Sequence, residues 1–360
     1  MTPRRAGRTM PPTALVDALS SLAREGELYE RLREGRVRCY ACGHRCLIPP
    51  GQRGVCKVRW NEDGRLLVPA GYVAGLQLDP VEKKPFFHAY PGARTLSFGM
   101  LGCDLHCRSC HNALTSQALR DPEMGVPPQA ITARDIVDLA QRRRARLLTS
   151  TYNEPLITSE WAVEVFREGR ARGLIGSFVS NGNATPEVLD YLRPWVDLYK
   201  VDLKSFDDKR YRELGCLLRT VLDTIQRLHR MGFWLEVVTL VIPGFNDGDA
   251  ELRDIARFLV GVSPDIPWHV TAFRPEYKMT DRGATPVKTL LRAAELGLGE
   301  GLRYVYAGNL PGRVGTLEDT HCPGCRTVLI ERVGYTIRRD LVTPGGGACP
   351  SCGTTIPGRW

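Results

Sequence analysis

Eleven of the twelve cysteines in this chain fall into three tight groups, and that clustering limits what the chain can fold around. The first group is Cys39-x2-Cys42-x3-Cys46-x9-Cys56, the second Cys103-x3-Cys107-x2-Cys110, and the third a pair of knuckles, Cys322-x2-Cys325 and Cys349-x2-Cys352. Cysteines dispersed for disulfides seldom lie two or three residues apart, whereas thiolates that share a metal do. Metal-bound thiolates in turn imply a reducing compartment, so the chain is expected to be cytoplasmic. Cys216 stands alone and reads as a small core residue.

With 360 residues, the chain is long enough for one large domain and small appendages. The cysteine groups divide it into a helical leader at 1–38, a four-cysteine module and connector at 39–84, a long core at 85–312 and a terminal module at 313–360. The core alternates strand-like and helix-like signals. Strands are expected at 95–99, 147–151, 175–180, 196–201, 234–242, 268–273 and 302–306. Between them, Thr132 and Asp135 form a capping box ahead of Ile136, Leu139 and Ala140. Thr185-Pro186 reads as an N-cap followed by proline at the first helical position. Ala162, Val165, Phe166 and Gly169, and again Leu252, Ile255, Ala256 and Leu259, recur at helical spacing. Strand–helix–strand repeated this often means parallel strands joined by right-handed crossovers. A partial barrel and a doubly wound sheet both fit that pattern, and both place their chemistry at the C-terminal ends of the strands.

The central cysteines follow the first core strand directly. Three thiolates on a short loop can hold three irons of a cubane cluster and leave the fourth open to an outside ligand. The alternative is a zinc site completed by His106 or His111. Gly99 and Gly102 let the loop turn tightly. The terminal knuckles Cys322/Cys325 and Cys349/Cys352 flank two apolar runs, 327–330 and 335–341, that can pair as a hairpin; four such thiolates make a closed tetrahedral zinc ribbon. For Cys39, Cys42, Cys46 and Cys56 the spacing is less diagnostic, and zinc or an auxiliary Fe–S cluster both fit.

The run Gly99–Asn112 with Cys103, Cys107 and Cys110 resembles the radical S-adenosylmethionine (SAM) superfamily. The resemblance to activating enzymes of glycyl-radical proteins is closer, because His111-Asn112 follows the last cysteine there too. It implies a partial (β/α) barrel of about six parallel strands, with small Cys-rich metal modules at both ends. It also implies a [4Fe–4S] cluster whose open iron binds SAM. Strand-end motifs carry the resemblance further: Thr151–Pro155 with Asn153 and Glu154, Ser180–Asn183 with Asn181, and Asp202-Leu203-Lys204. It implies that these five, Asn153, Glu154, Asn181, Asp202 and Lys204, surround SAM. Ile242-Pro243-Gly244 matches a turn element of these relatives, with Asn246 or Asp247 expected to cap the next helix. Two departures stand out. Ser109 replaces the usual aromatic residue before the third cysteine, and Arg274 stands where relatives commonly carry histidine.

Residues outside the barrel narrow the resemblance to the AmmeMemoRadiSam-system radical SAM enzymes, related to pyruvate formate-lyase activating enzymes. They include Asp79–Pro85, Trp268–Val270, Tyr277–Arg282, Tyr304–Asn309 and the terminal Ile356–Trp360. That group implies reductive cleavage of SAM and hydrogen abstraction from an unidentified substrate, protein among the choices. It also implies an electron donor such as flavodoxin or ferredoxin, and a Memo-like protein partner. Alternatives are radical modification of RNA or a small molecule, or a non-catalytic zinc-bound scaffold. The net charge of +9 permits an RNA substrate, but no RNA-binding motif accompanies it. No apolar run approaches the ~18–20 residues of a membrane span, and the leader lacks the apolar core of a signal peptide despite Arg4, Arg5 and Arg8.

Overall fold

A computed structural model describes residues 10–360; the arginines at 4, 5 and 8 lie outside the described residues. Its central feature is an eight-stranded sheet: β1 (Gly75–Pro80), β2 (Arg94–Gly99), β3 (Leu147–Ser150), β4 (Ile175–Ser180), β5 (Leu198–Asp202), β6 (Trp234–Val241), β7 (Trp268–Ala272) and β8 (Val305–Gly308). Each strand neighbours its predecessor, so the order runs from β1 to β8 without reversal. A doubly wound sheet requires such a reversal. An order that never reverses sends every right-handed crossover to the same face, which is the arrangement of an open α/β barrel. The pairs β4–β5, β5–β6, β6–β7 and β7–β8 are parallel. Strand β1 was not apparent in the sequence, where it falls within the connector.

The chain divides into two compact units. The first takes the chain up to Leu78, together with Leu96–Gly176 and Asn183–Trp195. It begins with the helix Pro12–Ser20, which has proline in its first turn and buries Leu15 and Leu19. The leader is extended after that: Ala23–Glu25 pairs with Arg65–Pro69, and Tyr29–Arg31 with Val37–Cys39. Helix α1 (Ala133–Arg142) starts with the expected capping box, in which the Thr132 hydroxyl and Asp135 carboxylate satisfy each other's backbone N–H groups. Helix α2 (Ser159–Arg170) buries Ala162, Val165, Phe166 and Gly169, and Thr185 caps α3 (Pro186–Leu192).

The second unit comprises Asp79–Thr95, Ser177–Gly182 and Val196–Trp360. Its longer helices are α4 (Leu218–Arg230), α5 (Asp249–Val262) and α6 (Val287–Gly299). Helix α5 buries Leu252, Ile255, Ala256 and Leu259, the face its spacing foretells. Register places Lys200 beside Glu236, and His269 beside both Val238 and Tyr306. Side chains alternate across a strand, so one face of this sheet carries a polar line through Lys200, Glu236, His269 and Tyr306. The unit ends in a three-stranded antiparallel ribbon, β9 (Thr320–His321), β10 (Val328–Val333) and β11 (Thr336–Asp340). Asn246 and Asp247 do not cap α5, whose N-cap is Gly248 without a side-chain bond. Asn246 is buried and accepts from Ile242 N while donating to the carbonyls of Lys204 and Leu240. Asp247 accepts from Gly244 N, 2.8 Å away. The tight Pro243-Gly244 turn consumes both side chains before the helix begins.

Candidate metal and cofactor centre

The central cysteine loop starts where β2 ends, and its first residues are tied down within the first unit. Gly102 N donates to Thr115 O at 3.0 Å, and Leu101 N reaches Tyr72 Oη at 3.4 Å. Leu105 O accepts from both Gln117 Nε2 and Arg120 Nη1, and Arg120 also donates to Val55 O. The two loop glycines serve different purposes. Gly102 has φ +93°, a conformation L side chains rarely adopt. Gly99 is needed for close approach, since a Cβ there would lie 2.2 Å from Thr151 O.

The sulfurs sit among groups suited to hold thiolates. Leu105 N points at Cys103 Sγ from 3.4 Å, and Cys110 Sγ lies 3.1 Å from Ser116 Oγ. Burial, with Asp104, Glu154 and Cys107 nearby, raises the Cys103 thiol well above its ordinary pKa. An unpartnered thiol there stays protonated, and a thiolate needs a bound cation to offset those negative neighbours. Three sulfurs on one anchored loop fit a cluster with an iron left open.

Asn153 and Glu154 come together with this loop. Met100 N donates to Asn153 Oδ1 at 3.1 Å, and Glu154 N to Gly102 O at 3.4 Å. Asn153 also donates to Glu154 O, so its amide braces the loop. Glu154 is buried, and its carboxylate caps the short 3-10 helix Pro155–Thr158 by accepting from Leu156 N. Helix entry and proximity to Cys103 are both properties of this one side chain.

The other three predicted residues belong to the second unit. Asn181 is buried at the end of β4, in a turn where Gly182 has φ +78° and leaves no room for a Cβ against Val201. Asp202 ends β5 between Lys200 and Lys204. Burial opposes its ionisation, but the two ammonium groups outweigh that and hold its carboxyl at about 2. Lys204 is fixed through its backbone, whose N–H meets Tyr211 Oη at 2.9 Å. Arg274 is largely exposed and pairs with Glu276.

Sequence reasoning passed over Asp104. It is fully buried, accepts from Asn183 Nδ2 at 2.8 Å, and its carbonyl meets His44 Nε2 at 3.2 Å. Its charge reaches the thiols of Cys42 and Cys46 as well as Cys103. The N-terminal cysteines therefore pack beside the central loop: Gly43 N donates to Asn183 O, and Cys56 O lies 3.2 Å from where a Gly102 Cβ would stand. Burial and neighbouring thiols push Cys42 far up and Cys56 up to about 12. Nothing in the spacing of an aspartate after a cysteine announces such a role.

At the other end of the chain, Cys322, Cys325, Cys349 and Cys352 converge, their sulfurs all within 4.8 Å of one another. Cys322–Cys352 and Cys325–Cys349 are 3.5 and 3.6 Å apart. A tetrahedral ion with metal–sulfur bonds of about 2.3 Å sets its thiolates ~3.8 Å apart, so the four can share one ion. Among the described residues this is the only such His/Cys/Asp/Glu group. The ribbon packs Leu329, Ile330 and Val342 against Phe87 and Tyr306. Cys216 is buried and forms no disulfide.

The pattern of the radical SAM superfamily matches residues 99–259, which begins at the end of β2 and takes in the cysteine loop. The chain belongs to the radical SAM superfamily. An uncharacterized protein of Methanocaldococcus jannaschii is 35% identical over 335 residues, 92% of this chain and 98% of that protein. The isethionate sulfite-lyase activating enzyme of Oleidesulfovibrio alaskensis is 27% identical over 143 residues, 38% of this chain; the chain spans 46% of that enzyme's length. A radical SAM methyltransferase from Sphaerobacter thermophilus superposes with a TM-score of 0.46 at 20% identity, covering 63% of this chain and 70% of that one. Radical SAM membership makes the chain an enzyme, and it implies a [4Fe–4S] cluster and SAM as cofactors. No helix of the described residues is long and apolar enough to cross a membrane.

Proposed function

We propose that Cys103, Cys107 and Cys110 ligate the [4Fe–4S] cluster and that the enzyme abstracts hydrogen from its substrate in the manner of an activating enzyme. What carries this reading is the loop itself: three thiols at the end of β2, with its backbone anchored by Asn153, Thr115 and Arg120. When bound, the cluster and SAM supply a one-electron cleavage that gives methionine and a 5′-deoxyadenosyl radical. The chain's own residues hold and orient. Glu154 offers a buried acceptor beside Cys103 for the SAM ammonium group, and Asn153 keeps that acceptor in place. Asn181, Asp202 and Lys204, each at a strand end, are the proposed contacts to the rest of SAM. Ionised Asp202 suits a ribose hydroxyl, and Lys204 suits a carboxylate.

The converging thiols of Cys322, Cys325, Cys349 and Cys352 support zinc as the ribbon's ion. Cysteines that form no disulfide suit a reducing cytoplasm, with a flavodoxin- or ferredoxin-type protein as electron donor. The resemblance to AmmeMemoRadiSam-system enzymes makes a Memo-like protein the proposed partner. Anaerobic reconstitution, dithionite reduction and assay of 5′-deoxyadenosine from SAM test the reading. Deoxyadenosine that disappears in Cys107→Ala, with ribbon metal retained, is the expected result. An intact cluster in that variant would reject the ligand set.

A further inference from the structure

Where β8 begins, the second unit contains a half-open pocket of about 390 Å³, mouth included. Small organic ligands commonly occupy pockets of ~300–1,000 Å³. The apolar wall is made by Leu298, near the end of α6, and Leu317, in the short 3-10 helix Gly315–Glu318. Charge comes from Arg303, just ahead of β8, and from Arg326, directly after the first cysteine knuckle. Neither guanidinium is fully engaged. Both bonds from Arg303 to Asp265 leave from Nη1, at 2.9 and 3.2 Å, so Nη2 and Nε stay uncommitted. Arg326 has no acidic partner among the described residues. Its backbone is nevertheless fixed, with φ +64° and its N–H bonded to Cys322 O at 2.9 Å. The pocket's carboxylate, Asp319, is already in use, since its Oδ1 accepts from Arg332 N at 2.8 Å.

Tyr304 adds a third group that points to a ligand. It lines the pocket and is 2% exposed, and its hydroxyl has no hydrogen-bond partner among the described residues. Arg303 and Cys322 lie within electrostatic reach of that oxygen. A buried hydroxyl left without an acceptor is costly, and a bound acceptor removes the cost. We propose that this pocket binds a small organic carboxylate. The carboxylate lies between Arg303, Arg326 and the Tyr304 hydroxyl, and the apolar body lies against Leu298 and Leu317. A planar carboxylate suits guanidinium forks and accepts from a phenol. A bare inorganic anion leaves both leucines uncovered. Strands β4 to β8 run parallel, and Arg303 enters β8 at its N-terminal end, whereas Asn181 and Asp202 lie at the C-terminal ends of β4 and β5. The pocket is therefore separate from the proposed SAM contacts and does not rest on them.

The test uses the full chain with its ribbon metal counted, without added cluster or SAM. Benzoate and isovalerate are titrated by calorimetry against benzamide and inorganic phosphate. Both carboxylates are expected to bind saturably, and benzamide and phosphate about tenfold more weakly or not at all. Arg326→Gln is expected to weaken benzoate about tenfold. Should that variant lose ribbon metal, Arg303→Gln takes its place. Tyr304→Phe is expected to weaken benzoate about threefold without lowering the thermal midpoint, because its hydroxyl has no bond in the free protein to lose. A purely structural tyrosine would show the reverse. Failure of both carboxylates to bind would overturn the site. So would benzamide or phosphate binding as tightly as benzoate, or an affinity that neither variant changes.

Discussion

Arg59 and Glu160 meet in a bidentate pair, Nη1 to Oε2 and Nη2 to Oε1, both at 2.7 Å, with each side chain only 1% exposed. The pair fastens the N-terminal cysteine module to the first turn of α2, just beyond the Glu154 turn. Glu160 Oε1 also accepts from the backbone of Glu27 and Leu28, and Arg59 also donates to Ile157 O.

Removing one partner strands the other charge in the interior. Glu160→Gln is expected to cost about 3–5 kcal/mol in denaturant unfolding, and Arg59→Met a similar amount. The double change to a well-packed apolar pair is expected to recover much of it. The pair also gives a sign for acid. Burial opposes ionisation of Glu160, but Arg59 overrides it and holds the carboxyl below the usual range. A lowered folded value contributes stability that is present above the unfolded value and lost as pH falls through the folded one. Stability from this pair is therefore flat near neutrality and declines only in the acid range, and Glu160→Gln abolishes that part of the decline.

Asp104 places one buried negative charge in the field of two sets of thiols. A nearby anion disfavours the more negative, reduced state of a cluster and lowers its potential. Asp104→Asn keeps the size and a polar contact with Asn183 while removing the charge. Redox titration followed by paramagnetic resonance is expected to show the midpoint potential of the central cluster moving upward. An unmoved potential would mean that the Asp104 charge does not act on the cluster.

Gly99 allows the end of β2 to lie against the carbonyl of Thr151. Gly99→Ala must push the strand ends apart, an overpacking cost of about 1–3 kcal/mol. The displacement falls on Met100, whose N–H bonds Asn153. The variant is expected to lose central iron while keeping its ribbon metal. Metal analysis on one reconstituted sample reads both.

Much of this was legible in the sequence because local rules agreed with the global fold. The Thr132/Asp135 box, the Thr185-Pro186 cap and the apolar face of α5 all sit where their patterns put them. So does the ribbon, whose knuckle spacing is itself a metal geometry. Illegible features depend on contacts distant in sequence. Asp104 acquires its role only by meeting Asn183, 79 positions away, and Arg59 only by meeting Glu160. Strand β1 was hidden because the alternating run Leu76-Gln77-Leu78-Asp79 is short and bounded by Gly75 and Pro80, and proline suits only sheet edges. Asn246 followed a capping signature but was captured by a stronger local demand, the unpaired backbone groups of the turn before it.

The ribbon end of the second unit contains a buried network that makes a pH prediction. Glu236 accepts from the backbone N–H groups of Phe87 and His88, both at 2.9 Å, and pairs with His269 Nε2 at 2.6 Å. His88 spans Pro357 O and Tyr306 Oη through its two ring nitrogens, and Arg332 donates to Phe87 O. Burial is the main cause that lowers His88, to about 4, and it lowers His269 as well despite the attraction of Glu236. Both imidazoles therefore stay neutral in the fold at pH values where unfolded histidine, near 6.5, takes up a proton. Stability is complete above about 6.5 and is lost progressively as pH falls toward 4. Glu236 is itself held below the usual carboxylate range, so its contribution is lost lower still. Trp360 lies 5.4 Å from His88 and Trp234 stacks at 6.1 Å, so tryptophan fluorescence reports on this region directly. The thermal midpoint followed by that signal is expected to drop between pH 6.5 and 4 in the wild type, and to drop less steeply in His88→Gln, whose amide can still bridge Pro357 and Tyr306. An unchanged slope in His88→Gln would assign the acid sensitivity to His269 instead.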